Sequence, residues 1–130
     1  MKSLKFIFVL FFFLSLNASA QTLYFCEGVT KDGIPVNDSN VFNIPKDGGY
    51  LYFLVTLPYK VACDNVSFRI YKIDRYGNET YFDKFNIDTN KNWTWFWSKY
   101  TFYKSGDYRV YCSDCYGYDL VDEEIKIQFK

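Results

Sequence analysis

The sequence predicts an all-β fold, a two-sheet sandwich of about seven or eight antiparallel strands. Three observations lead there. Apolar and polar side chains alternate with period two in one segment after another. Turn formers (Gly, Pro, Asn and Asp) punctuate those segments at the short, even spacing of a sandwich. The chain also carries 13 Tyr, 3 Trp and 14 Phe, only five of the Phe within residues 1–20. Such side chains favour strands and bury large areas.

The expected elements run in order. Residues 23–29 form a strand, followed by turn chemistry at Lys31-Asp32-Gly33 and Asn37-Asp38-Ser39-Asn40. A short edge piece over 41–44 is stopped by Pro45 and Asp47-Gly48-Gly49. The strand 50–57 puts Leu51, Phe53, Val55 and Leu57 on one face and Tyr50, Tyr52 and Leu54 on the other. The strand 66–73 sets Val66, Phe68 and Ile70 against Ser67, Arg69 and Tyr71, and Tyr76-Gly77-Asn78 ends it. Strands over 80–87 and 93–102 flank the polar turn 88–92. After Lys104-Ser105-Gly106 come 108–112 and 124–129. In the last, Ile125, Ile127 and Phe129 alternate with Glu124, Lys126 and Gln128, which argues against a helical C-terminus.

Residues 1–20 read as a secretory signal peptide to be cleaved. Lys2 and Lys5 precede an apolar run from Phe6 to Leu16, and Ala18-Ser19-Ala20 supplies small residues at the cut. The run is shorter than the ~20 residues a spanning helix needs. The mature part, 21–130, is expected to be one domain, secreted, periplasmic or held at the cell surface, with no stable membrane span. Without Lys2 and Lys5 its 13 basic residues face 15 acidic ones, a net charge of −2. Nucleic-acid binding needs clustered Lys and Arg, so nucleic acid is not expected as a partner. The chain has no histidine. That excludes Ser-His-Asp and Cys-His catalysis and His-ligated metals.

Gly106-Asp107-Tyr108-Arg109-Val110-Tyr111-Cys112 resembles the strand before last of immunoglobulin-like and PKD-like domains, in which a turn Gly is followed two residues later by Tyr. The resemblance implies an immunoglobulin-like sandwich. No Trp lies in 66–73, and Tyr108 stands four residues before Cys112 rather than two. Both departures weigh against an antibody-type disulfide and tyrosine corner. Gly106, Tyr108 and Val110 also match the Gly-x-Tyr-x-Val of sandwich tails that direct outer-membrane export, without their upstream Pro-Asn-Pro.

Cys26, Cys63, Cys112 and Cys115 form an even set in an exported chain, which points to disulfides. Antiparallel pairing of the long strands is expected to gather all four at one pole, with Cys26–Cys112 and Cys63–Cys115 the preferred pairs. Cys112-Ser113-Asp114-Cys115 follows a strand rather than opening a helix, which disfavours a redox motif. A thiolate zinc site is disfavoured in an oxidising compartment.

Trp93-Thr94-Trp95-Phe96-Trp97 is the most distinctive stretch. The expectation is that the Trp face packs into the core while Thr94, Phe96 and Ser98 face out. The alternative is a row of indoles, Trp93, Trp95 and Trp97, on which sugar rings stack. The turn 88–92 begins like an EF-hand loop but has Trp93 and Lys99 where that loop needs Gly and Glu, so no metal is expected. Glu79 and Asp83, about 13 Å apart along a strand, are too distant for a glycosidase pair. Asp122-Glu123-Glu124 reads as an exposed strand start. Sequons begin at Asn37, Asn65, Asn78 and Asn92, all in or beside turns.

The functional expectation is a non-enzymatic binding or structural domain without a cofactor. Its partner would be a protein or glycan at the cell surface. A carbohydrate-binding module built on Trp93, Trp95 and Trp97 is the alternative.

Overall fold

The computed structural model describes residues 20–130. Apart from Ala20, the expected signal peptide lies outside them. Ten strands form: β1 Thr22–Cys26, β2 Gly28–Val29, β3 Pro35–Val36, β4 Val41–Ile44, β5 Gly49–Thr56, β6 Asn65–Ile73, β7 Glu79–Asp88, β8 Trp95–Phe102, β9 Gly106–Ser113 and β10 Asp119–Phe129. One sheet has the order β1-β5-β8 and the other β4-β10-β9-β6-β7. β4 joins β10 parallel, the one departure from antiparallel pairing among the described residues. The first, second and fifth main strands (β1, β5, β8) facing the third, sixth and seventh (β6, β9, β10) is the immunoglobulin arrangement. The fold is an immunoglobulin-like all-β sandwich.

Period-two alternation places the core between the sheets. Leu51, Phe53 and Val55 from β5 meet Val66, Phe68 and Ile70 from β6 and Tyr108, Val110 and Cys112 from β9. Phe25, Phe102, Ile125 and Ile127 complete it. Tyr108 is fully buried, and its hydroxyl donates to the Lys104 carbonyl at 2.8 Å. That bond is a tyrosine corner, formed despite the four-residue spacing to Cys112. The spacing matters less than the turn, because the acceptor lies on the approach to β9 and not on the Cys.

The strand expected over 23–29 breaks at Glu27, whose N–H donates to the Val36 carbonyl. The chain turns there into the short β2–β3 hairpin, which lies against the outer face of the three-stranded sheet near β5. Pro35–Val36 was not expected as a strand. The Thr30–Ile34 tip uses Thr30 Oγ1 to accept from the N–H groups of Asp32 and Ile34. Gly33 there has φ +82°, and its Cα presses on Trp95; a Cβ would stand 2.5 Å from the indole. Cys26 and Leu54, on the face away from the core, are 0% exposed.

The four cysteines do not gather. Cys63 and Cys115 form a disulfide, while Cys26 and Cys112 are free and buried. The expected Cys26–Cys112 bond fails for two reasons. Because β1 ends at Cys26, opposite Tyr52 in the middle of β5, Cys26 sits away from the end of the sandwich that holds Cys63 and Cys115. Its side chain also points out of the sandwich, whereas Cys112 points into the core. Burial, reinforced by the carboxylates of Asp114 and Asp119, pushes the Cys112 thiol from 9.0 up to about 12. Above pH 9 an unfolded chain releases this proton and the folded chain keeps it, so stability present at neutral pH is lost as pH rises. Urea titrations between pH 8 and pH 11 are expected to show a decline, with Cys112 contributing up to about 1.4 kcal/mol per pH unit. Cys112→Ala is expected to flatten the slope.

Candidate functional site

Strand direction brings three loops to one pole. β5 ends where β8 begins (Thr56 opposite Trp95), β6 begins where β7 ends (Asn65 opposite Asp88), and β9 ends where β10 begins. The loops are 57–64, 89–94 and 114–118.

They are bonded to one another. The Leu57 N–H donates to the Thr94 carbonyl (2.7 Å), Val61 N–H to that of Trp93 (2.8 Å) and Ala62 N–H to that of Lys91 (2.9 Å). Thr89 donates through its N–H to the Asp64 carbonyl (2.8 Å) and through Oγ1 to that of Cys63 (2.6 Å). The Cys63–Cys115 bond ties the first loop to the third, and Cys115 N–H donates to Cys63 Sγ. Ala62 is held at φ 56°, a left-handed conformation that an L side chain resists by about 1–2 kcal/mol. Such strain persists where the surroundings over-determine the backbone.

This framework presents aromatic rings to solvent. Tyr59 and Trp93 are 45% exposed, Tyr116 76% and Tyr118 74%. In the third loop Asp114 Oδ1 accepts from the N–H groups of Tyr116 and Tyr118, and Gly117 takes φ +89°. That turn fixes Tyr116 at its tip. Asp74-Arg75-Tyr76-Gly77-Asn78 repeats the construction at the opposite pole, with Asp74 Oδ1 accepting from Tyr76 and Asn78 N–H and Gly77 at φ +85°. Those amide bonds hold the Asp74 carboxyl below its usual range.

The expected burial of the Trp face is overturned. Phe96 points into the core at 2% exposure, so Trp95 and Trp97 point out. Alternation forces this, since the core side of β8 is Phe96, Tyr100 and Phe102. β8 starts only at Trp95 because Trp93 and Thr94 spend their carbonyls on the first loop. The indoles do not form a row of equals. Gly33 covers Trp95, Trp97 stands edge-on to Tyr52 at 5.1 Å, and Trp93 belongs to the loop. Beside the pole, between the free edges of β7 and β8, lies a cleft of about 520 Å³. Ile87, Asp88, Asn92 and the 93–97 stretch line it.

Other acids singled out in the sequence are engaged. Glu79 accepts from the Tyr111 hydroxyl and Asp83 from that of Tyr100, both at 2.7 Å. Asp122 and Glu124 pair with Arg109. Burial and the Glu79 bond raise the Tyr111 hydroxyl to about 12.

No protein-family model matches the chain, and no curated protein matches it. Among solved structures it is similar to an immunoglobulin-like protein from Pseudomonas aeruginosa at 11% identity and TM-score 0.47, covering 86% of this chain and 99% of that one. It is similar to the superoxide reductase neelaredoxin from Ignicoccus hospitalis at 12% identity and TM-score 0.41, covering 85% and 81%. A DNA-bound alkylpurine DNA glycosylase from Pseudomonas fluorescens is similar at 14% identity and TM-score 0.34, covering 68% and 28%. At these identities and scores the likenesses transfer no activity, and the fold stands on the strand order described above.

Proposed function

We propose that this chain is a non-enzymatic binding domain working outside the cytoplasm, secreted, periplasmic or surface-held, which meets a protein or glycan partner with its loop pole. The observation that carries the reading is the set of exposed rings, Tyr59, Trp93, Tyr116 and Tyr118, on loops clamped by a disulfide and cross-loop hydrogen bonds. Tyr and Trp supply large contact areas with few rotatable bonds, and a preorganised surface loses less entropy on association. Export is supported by the signal-like residues 1–20 and by the disulfide, a bond favoured in oxidising compartments. Among the described residues no helix is long and apolar enough to cross a membrane.

Site-specific photocrosslinking in the producing cells tests this. A benzophenone amino acid at position 116 is expected to capture a discrete partner, while one at Tyr103, exposed on the opposite side of the fold, captures none. Equal capture from both positions, or capture from 103 alone, defeats the proposal.

A carbohydrate ligand in the cleft is favoured by one observation. The side chains of Asp88 and Asn92 have no hydrogen-bond partner among the described residues, and they stand beside half-exposed indoles. Hydroxyl-binding groups next to rings suit a sugar. Glycan-array binding that is lost in Trp97→Ala with an unchanged circular dichroism spectrum supports this reading. Binding that survives the substitution rules it out. Trp95, covered by Gly33, is the wrong residue to change.

A further inference from the structure

We propose that β8 is an adhesive edge along which two copies of this chain pair antiparallel, joining their three-stranded sheets into one. The site is separate from the loop pole and does not depend on the role proposed for that pole; it competes with the sugar reading of the cleft, because Trp97 belongs to both.

The ladder between β5 and β8 shows which backbone groups are free. Hydrogen-bonded pairs alternate with non-bonded pairs in an antiparallel ladder. The Leu57–Thr94 pair is bonded, so Phe96, Ser98, Tyr100 and Phe102 also bond to β5. The N–H and C=O groups of Trp95, Trp97, Lys99 and Thr101 therefore point away from β5 into an edge with no neighbouring strand among the described residues. Of these groups only the Lys99 carbonyl accepts a bond among the described residues, from Ser98 Oγ at 3.3 Å.

The other edges are guarded. β4 is four residues long. β1 is capped where Ser39 N–H donates to the Phe25 carbonyl. β7 carries Asp83, Lys84 and Asp88, and its ladder with β6 shifts at Ile70/Tyr71. β8 has no proline and no register shift, so its free groups stand in a regular row. Lysine often protects such an edge. Here the Lys99 ammonium is turned back over its own sheet, 5.0 Å from the Tyr50 ring and 5.4 Å from the Tyr52 ring.

A second copy fits this edge by self-complementarity. An antiparallel strand pair has a two-fold axis, so the contact closes on itself. Centred on Ser98, the pairing sets Trp97 opposite Lys99 of the second copy and Trp95 opposite Thr101, so all four free residues on each strand find partners. Centred on Trp97 or on Lys99, it leaves one residue unpaired and sets indole against indole or ammonium against ammonium. Directly opposed residues on one sheet face have Cβ atoms roughly 4.5–5.5 Å apart. Trp97, 45% exposed, then stands beside the facing Lys99, whose ammonium swings from its own Tyr50 and Tyr52 rings onto the indole, a cation–π contact made twice per dimer. The two loop poles point in opposite directions and stay open.

Sedimentation velocity of the mature protein over a concentration series tests the pairing. The wild type is expected to form a dimer as concentration rises. Lys99→Pro removes an outward N–H, a loss that an edge strand tolerates, together with the ammonium that would meet the facing indole, and is expected to give a folded monomer. Trp97→Lys, an exposed substitution that sets like charges face to face, is also expected to be monomeric. The double variant W97K/K99E, which restores opposite charges across the axis, is expected to recover the dimer. A wild type that remains monomeric throughout overturns the proposal. So does a dimer that persists in both single variants.

Discussion

Changing Cys63 and Cys115 together to alanine is expected to lower the unfolding free energy by about 4 kcal/mol. The bond spans 52 residues, and restricting a loop of that length in the unfolded chain accounts for about this much. Domains of this kind have roughly 5–15 kcal/mol in all, so the variant will lie near the margin of folding. Urea unfolding with and without reductant checks the value, because reduced wild type and the double variant must agree. A difference under about 1 kcal/mol would contradict this account and mean that the reduced unfolded chain is already restricted. The functional consequence is local. Loops 57–64 and 114–118 lose their covalent tie, and the rings of Tyr59, Tyr116 and Tyr118 lose their fixed spacing.

Phe53→Ala carries the second large effect, about 3–5 kcal/mol. Phe53 is fully buried at the centre of the sandwich. Its ring meets those of Phe25, Tyr100 and Phe102 from its own sheet and of Phe68 and Phe85 from the facing one, at centroid distances of 5.3 to 6.3 Å. Alanine leaves a hole between two sheets that strand pairing keeps apart, so little collapse can fill it. Tyr116→Ala is the control. At 76% exposure and with no packing to lose, it is expected to change stability by less than about 0.5 kcal/mol. Thermal unfolding of the two variants side by side separates a core residue from a contact residue.

The strands were legible because their signal is local. Residues 50–57 and 66–73 alternate so regularly that the inner face could be read off directly, and Leu51, Phe53, Val55, Val66, Phe68 and Ile70 all lie in the core. Alternation fails as a guide where a long-range contact overrides it. Leu54 and Cys26 sit on the outer face yet are fully buried, because a hairpin anchored by Gly33 on Trp95 closes over that face. The same hairpin ends β1 at Cys26 and defeats the Cys26–Cys112 pairing. The Trp stretch misled because Trp and Phe are both core residues by type. Only the register with β5 shows that Phe96 takes the inner side.

The pole itself was hidden in the sequence. Tyr59, Tyr116 and Tyr118 gave no local signal of exposure, although one clue was present. Asp-x-Tyr-Gly occurs at 74–77 and again at 114–117, and in both turns the Asp carboxylate bonds the backbone and sets the Tyr at the tip. A hairpin loop closed by a left-handed Gly is a recognisable turn type. The sandwich topology then decides which of the two tips shares a pole with the disulfide.

Binding at the loop pole requires that the three loops form one rigid surface. Residue-resolved amide hydrogen exchange tests it most directly. Val61, Ala62 and Thr89 donate to carbonyls of neighbouring loops, so their amides are expected to exchange as slowly as those of the flanking strands β5 and β6. Exchange at the rate of unstructured peptide at these three amides, with the strands still protected, would contradict the account.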